Sequence, residues 1–345
     1  MRNFLRSRFL LPALLALMSP AAGSATLQVV TTLPAYAAIA QYLGGDLVEA
    51  RAISRGDEDA HFVKPKPSFA LMLKTADLFV TTGLDLELWA PTLVDKSGNR
   101  NIRDGQPGFV SASEGIAMSD IPASVSREAG DVHIYGNPHI DTSPINAKRI
   151  AANIAAGLAR VDRENASLYQ KNLAAFEAEI DRSLYGDELV ELLGSETLDP
   201  LARQGKLFSF LESQHYEGKP LTERLGGWLA RTAFFREREI IAYHKNWIYF
   251  TDLIGLEIAD YVERKPGIPP SARHVLKLLE IIDERRIQVL LAASYFNQRQ
   301  IQTIAERSGC RAAVVDLGPM QINERAYFEL VDGWLGALET AFGGG

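Results

Sequence analysis

Short apolar runs alternate with longer amphipathic stretches along most of the chain from Leu27 onward. The short runs are rich in valine and isoleucine, as buried strands are, whereas the longer stretches carry apolar residues at helical spacing. The pattern predicts strands over residues 27–31, 48–53, 78–82, 239–243, 256–261, 289–293 and 312–315. This alternation predicts an α/β fold class with mainly parallel sheets flanked by helices.

A long helical pattern separates these strands into two groups. It runs from about Asn146 to Leu184, and Asp162 is expected to divide it into two helices. We therefore predict two similar α/β lobes joined by one long backbone helix. The expected boundaries are residues 26–160 for the N-terminal lobe, 161–185 for the connecting helix, and 186–345 for the C-terminal lobe with an insertion at about 186–238.

Prolines and serines mark the expected helix starts. Pro34 should open the first helix, Ser68 should cap a helix that leads into a strand, and a further helix that leads into a strand should begin at Ser271. Both serines close a Lys-Pro-rich segment, which is a weak internal repeat and supports two similar lobes. A final helix is expected from Glu324, and residues 99–137, rich in Gly, Ser, Pro and Asp, are predicted to be mostly loop.

The first residues have the composition of an export signal. Three arginines precede an apolar run over residues 9–18, which is too short to span a bilayer comfortably, and small residues at Gly23 to Ala25 suit a cleavage site. We predict that residues 1–25 are a cleaved signal peptide and that the mature protein is periplasmic. Because no cysteine lies near the cleavage site, we expect no lipid anchor.

Composition excludes several classes of function. A formal net charge of −7 argues against binding to nucleic acid, which requires a clustered basic surface. The single cysteine, Cys310, excludes an intramolecular disulfide, a cysteine-rich zinc module and an iron–sulfur cluster. The sequence carries no phosphate-binding loop, nucleophile elbow, dinucleotide fingerprint or H-E-x-x-H motif. We therefore predict a binding protein and not an enzyme.

The histidines carry the most specific chemistry. His61 follows the predicted strand 48–53, His139 precedes the long helix, and His244 directly follows the predicted strand 239–243. Asp316 ends the last predicted strand. Because open α/β sheets bind ligands at the carboxyl ends of their strands, these four residues are expected to converge on one cleft. Three imidazoles and a carboxylate suit Zn(II), although Asp59 or a water molecule is an alternative to Asp316.

The same residues lie in segments that resemble the periplasmic solute-binding proteins of zinc and manganese ABC importers. The resemblance covers nearly all of the chain after residue 25. The segments that carry it are Thr31-Thr-Leu-Pro34, Asp59-Ala-His61 with Lys64-Pro-Lys-Pro-Ser68, Gly83-Leu-Asp-Leu-Glu-Leu-Trp89, Asn137-Pro-His139, Tyr243-His244, and Val315-Asp-Leu-Gly. It implies the ligands His61, His139, His244 and Asp316, a metal in the cleft between the lobes, and docking on a membrane permease.

The chain also departs from this family pattern. Ser143 stands before Pro144, where the family usually has an aspartate. Zinc members often carry a histidine-rich acidic loop before the second ligand, but His133 is the single histidine in that region here.

The leading hypothesis is a monomeric Zn(II)-binding protein that delivers the ion to an ABC-type importer, with a transition-metal ion and the permease as partners. Three nitrogen ligands favour zinc over manganese, which prefers more oxygen. The alternatives are a manganese-binding protein of the same family and an exported zinc hydrolase with Asp59 or Asp316 as general base. A binding protein for a metal chelate or an organic solute is a further possibility.

Overall fold

The computed structural model describes residues 26–122, 133–265 and 267–343. The predicted signal peptide lies outside these ranges. The first lobe contains one sheet whose four strands are parallel and ordered β2-β1-β3-β4. Its elements are β1 (Leu27–Thr31), α1 (Pro34–Gly44), β2 (Val48–Ala52), α2 (Pro67–Lys74), β3 (Leu78–Thr81), α3 (Ala90–Ser97) and β4 (Phe109–Ser111).

Two helices follow, α4 (Pro144–Val161) and α5 (Ala166–Tyr185). The break at Asp162 is confirmed, because the helical hydrogen bonding of α4 ends there and α5 starts four residues later. α4 packs so tightly on the first sheet that a Cβ added to Gly157 would lie 2.4 Å from a methyl carbon of Val110. This close approach holds α4, the helix that follows the turn at His139, against the first sheet.

Residues 186–238 fold into short elements of their own. They contain four helices and a two-stranded antiparallel hairpin, which are α6 (Asp187–Leu193), α7 (Ser195–Arg203), α8 (Leu207–Ser213), β5 (His215–Tyr216), β6 (Lys219–Pro220) and α9 (Gly227–Arg231). Helix α9 packs against α5, so this segment is joined to the body of the protein.

The second lobe contains a sheet of four parallel strands ordered β10-β9-β7-β8. Its elements are β7 (Glu239–Ala242), α10 (Ile248–Ile254), β8 (Glu257–Tyr261), α11 (Ala272–Arg285), β9 (Val289–Ala293), α12 (Gln298–Ser308), β10 (Arg311–Val315) and α13 (Ala326–Phe342). Counted from the first strand of each lobe, both sheets have the strand order 2-1-3-4. This shared order confirms the prediction of two similar α/β lobes with parallel sheets.

Several local predictions need correction. Ser68 lies inside α2 and does not cap it, because the fixed φ of Pro67 already starts the helix. Ser271 does cap α11, since its hydroxyl accepts a hydrogen bond from the backbone N–H of His274. The stretch 99–137 contains β4, whose three residues are too short for an alternating pattern to reveal.

The two lobes meet at Gly56, five residues before His61 in the chain. The backbone N–H groups of Leu317 and Gly318 donate to the carbonyl of Gly56 at 3.1 and 3.2 Å. A Cβ added to Gly56 would lie 2.0 Å from the carbonyl oxygen of Gly318, so only glycine allows this approach. One hydrophobic core runs through both lobes, and no helix among the described residues is long and apolar enough to cross a membrane.

Candidate metal centre

Asp59, two residues before His61, holds both its ring and its backbone in place. His61 lies in a single 3₁₀ turn, Ala60–Phe62, after β2, and Asp59 caps that turn. The Asp59 carboxylate accepts hydrogen bonds from the His61 backbone N–H at 3.0 Å and from its Nδ1 at 2.7 Å. Burial raises the pKa of Asp59, but the hydrogen bonds and charge of His61 outweigh this and leave the pKa below its ordinary value. An ionised carboxylate can only accept, so His61 carries its proton on Nδ1 and a lone pair on Nε2.

His139 precedes α4 and is only 2% exposed. Its backbone N–H donates to the side-chain oxygen of Asn137 at 3.0 Å, so the Asn-Pro-His sequence forms a turn closed by its own asparagine. Nε2 of His139 is buried and has no hydrogen-bond partner among the described residues. Burial, followed by the charges of His61 and His244, holds the pKa of His139 far below its ordinary value. A buried nitrogen that is neutral and unpaired is suited to bind a cation.

His244 comes from the second lobe and follows β7 directly. Its Nδ1 donates to the backbone carbonyl of Glu263 at 3.1 Å, which leaves Nε2 free to accept. The residue is 3% exposed. Burial lowers its pKa to about 4, although the hydrogen bond to Glu263 acts in the opposite direction. His244 is therefore a neutral imidazole at physiological pH.

The rings of the three predicted histidines lie near one another, and the ring of His133 lies beside them. The ring centres of His139 and His244 lie 5.2 and 6.1 Å from that of His61, and 6.3 Å from each other. His133 has its ring centre 5.2 Å from that of His61. Potential ligand atoms of His61, His133 and His139 all lie within 4.8 Å of one another, which is close enough for one ion to contact all three.

The carboxylates around the histidines have different roles. Oδ1 of Asp316, predicted from sequence as the fourth ligand, accepts a hydrogen bond from the Ser294 hydroxyl. Neither Asp316 nor His244 belongs to the group of mutually close ligand atoms found among the described residues, although the centre of the His244 ring lies 6.1 and 6.3 Å from those of His61 and His139. The Oδ1 atom of Asp59 lies behind His61, where it orients the ring. Asp141, next to the turn of His139, is buried with Oδ1 unpaired among the described residues, and burial raises its pKa to about 7.

Two other histidines lie outside the centre. His215 is exposed on β5, and Nε2 of His274 is 2.7 Å from the carbonyl of Tyr261, as expected for a structural histidine. His133 was missed as a candidate ligand. The available signal was its position as the single histidine in a loop-like segment, six residues before His139 in the chain.

The sequence matches the family described as "Zinc-uptake complex component A periplasmic" over residues 29–184 and 223–341. The chain belongs to this family. Its members are solute-binding proteins of ABC importers and not enzymes, so the hydrolase alternative is wrong. The protein is therefore an extracytoplasmic metal-binding component of a metal uptake system, and the prediction of a metal-binding solute-binding protein is confirmed.

Relatives differ in the metal that their names state. The chain is 30% identical over 292 residues to the metal ABC transporter substrate-binding lipoprotein FimA of Streptococcus parasanguinis, covering 84% of this chain and 79% of that protein. It is 23% identical over 299 residues to the iron-binding protein YfeA of Yersinia pestis (87% and 79%). It is also 23% identical over 317 residues to the high-affinity zinc uptake system protein ZnuA of Paracoccus denitrificans (82% and 81%).

Solved structures show the same fold. A zinc-bound ZnuA deletion mutant superposes with a TM-score of 0.66 at 22% identity, covering 92% of this chain and 98% of that one. A manganese-bound mutant of a periplasmic metal-binding protein from Candidatus Liberibacter asiaticus gives 0.62 at 17% identity, covering 91% and 99%. Proteins of this fold thus include one with bound zinc and one with bound manganese, so the fold by itself does not identify the metal.

Proposed function

We propose that this protein captures Zn(II) in the cleft between its lobes and delivers it to the permease of an ABC importer. The observation that carries the proposal is the cluster of buried or half-buried imidazoles, in which His139 has an unpaired, buried Nε2. Neutral imidazole nitrogens suit zinc, whereas manganese favours carboxylate and water oxygens. His61, His139 and His244 form the nitrogen core of the proposed site, and Asp316 is the fourth donor predicted from sequence.

Under this proposal, capture of the ion requires both lobes. His61 and His139 belong to the first lobe and to the start of α4, whereas His244 belongs to the second. The Asn137 side-chain amide donates to the Lys245 carbonyl at 2.7 Å, so the turns that carry His139 and His244 are bound to each other across the cleft. An ion bound by all three would therefore stabilise the assembled lobes, and release to the permease would require their separation.

We further propose that the chain is exported through residues 1–25, functions as a monomer in the periplasm and carries no lipid anchor. Cys310, the single cysteine, is buried in the second lobe, so it is unsuited to acylation. Mass spectrometry of the exported protein should give the mass of residues 26–345 without a lipid. A lipid-modified mass would contradict this part of the proposal.

The test of metal identity is a competition titration of the metal-free protein with zinc and with manganese in the presence of a chelator of known affinity. We expect tight binding of one zinc per chain and much weaker binding of manganese. His61→Ala, His139→Ala and His244→Ala should each weaken zinc binding strongly, whereas the exposed control His215→Ala should leave it unchanged. Preferential binding of manganese would overturn the zinc assignment and leave the family assignment intact.

A further inference from the structure

The rings of His133 and His61 meet through their Nε2 atoms, with no other group of the described residues between them. Their Nε2 atoms are 3.1 Å apart. Nδ1 of His133 lies 2.9 Å from Oδ1 of Asp85, just as Nδ1 of His61 lies 2.7 Å from Asp59. Since a carboxylate accepts, each ring donates through Nδ1 and presents a lone pair on Nε2. With both rings neutral these lone pairs face each other, so either a proton shared by the two nitrogens or a metal ion bound to both would remove the repulsion.

The separation of these nitrogens also fits ligands of a single ion. Zn–N bonds of about 2.0–2.1 Å in a tetrahedral site place neighbouring ligand nitrogens about 3.3 Å apart. The observed 3.1 Å between Nε2 of His61 and Nε2 of His133 is close to this value. The ring centre of His139 lies 6.2 Å from that of His133.

The position of His133 is fixed by Asp85. One carboxylate oxygen of Asp85 accepts from Nδ1 of His133, and the other accepts from the backbone N–H of Ile134 at 3.1 Å. The side chains of His133 and Asp85 are only 15% and 19% exposed. A single carboxylate therefore orients the imidazole ring and also holds the chain that carries it. Asp59 holds both the ring and the backbone of His61 in the same way.

We infer that His133 is the fourth metal ligand, in the place for which the sequence predicts Asp316, and that Asp85 is its positioning residue. The inference rests on the proposed function. It makes the site one of four imidazoles, His61, His133, His139 and His244, two of them oriented by carboxylates. Hydrogen bonds of this kind set the tautomer and increase the basicity of a metal-binding histidine. An all-nitrogen site should discriminate against manganese more strongly than three nitrogens and an oxygen.

The experiment compares the zinc affinity of full-length mature protein with that of His133→Ala, Asp316→Asn and His215→Ala, with a chelator as competitor. We expect His133→Ala to weaken zinc binding by at least about 100-fold, since loss of a supporting group alone costs about 10–100-fold. The exposed control His215→Ala should stay within about twofold of the wild type, and Asp316→Asn should weaken zinc binding much less than His133→Ala does. X-ray absorption at the zinc edge should show one imidazole fewer in His133→Ala, and circular dichroism of the metal-free variants checks their folding.

A double-mutant cycle tests the role of Asp85. If Asp85 acts through His133, then Asp85→Asn should weaken zinc binding by about 10–100-fold in the wild type. It should have almost no effect in the His133→Ala background, because residues that act as a unit are not additive. Equal losses in both backgrounds would show that Asp85 has a general structural role and would overturn its assignment.

The outcomes separate this inference from the proposed function. Unchanged zinc affinity in His133→Ala, together with a large loss in His244→Ala, would overturn the inference and leave zinc capture standing. A large loss in Asp316→Asn, with little change in His133→Ala, would assign the fourth position to Asp316. Failure of the wild-type protein to bind zinc or manganese would overturn the proposed function itself.

Discussion

Replacing Asp59 by alanine gives the most direct test of how this site is preorganised. The substitution removes the acceptor of two hydrogen bonds, one from Nδ1 and one from the backbone N–H of His61. Without it, the His61 ring is free to rotate and to take the other tautomer, with its proton on the nitrogen that would face the ion. The expected loss of zinc affinity is about 10–100-fold, or about 1.4–2.8 kcal/mol.

Two hydrogen bonds are lost, and they affect different properties. The hydrogen bond from Nδ1 of His61 to the Asp59 carboxylate fixes the ring. A hydrogen bond to a charged group contributes about 1.5–3 kcal/mol. The backbone bond caps the turn Ala60–Phe62, and loss of a cap of this kind costs about 0.5–2 kcal/mol of folding stability. We therefore expect a lower thermal midpoint for the metal-free variant as well as weaker binding.

The assay is competition with a chelator of known affinity, read together with the circular dichroism of the metal-free protein. Asp59→Asn keeps a side-chain oxygen that accepts one hydrogen bond, so its loss should be smaller than that of Asp59→Ala. Asp95→Ala is the matched control, because Asp95 is 74% exposed and pairs only loosely with Arg103, at 3.4 Å. Zinc affinity within twofold of the wild type in a folded Asp59→Ala variant would refute the reasoning.

Three other expectations concern stability. Zinc at 1,000 times its Kd should stabilise the protein by about 4 kcal/mol, and an unchanged thermal midpoint would argue against a site in the folded state. Lys148 is buried between Asp181 and Asp199, at 2.5 and 2.6 Å, so Lys148→Ala should destabilise by about 3–5 kcal/mol in urea unfolding, unlike the exposed control Lys171→Ala. Folding lowers the pKa of His244 to about 4 from an ordinary value near 6.5, so its contribution to metal-free stability is complete above pH 6.5 and is lost as the pH falls towards 4. That loss is roughly 3 kcal/mol, and equal pH slopes for the wild type and His244→Ala would contradict it.

The sequence determined the secondary structure best where the pattern was continuous. Strands over 27–31 and 289–293 were predicted with the observed bounds, because Leu-Gln-Val-Val-Thr and Val-Leu-Leu-Ala-Ala are short, largely apolar runs of the kind that fills the strands of a buried parallel sheet. The break at Asp162 was equally clear, since the helical pattern is interrupted there. Strand β4 was not predicted, because its pairing with β3 is decided by the neighbouring strand and not by three residues of local pattern.

The sequence also placed His61, His139 and His244 at the ends of strands and helices, where an α/β fold brings its loops together. It could not place His133, which lies 72 residues from His61 in the chain and meets it only because Asp85 fixes both the ring and the backbone of its loop. Contacts between such distant residues leave no periodic pattern to read. The sequence by itself therefore determined which residue types stand at the ends of the strands and helices. The tertiary structure alone decided which of their nitrogen atoms face one another across the cleft.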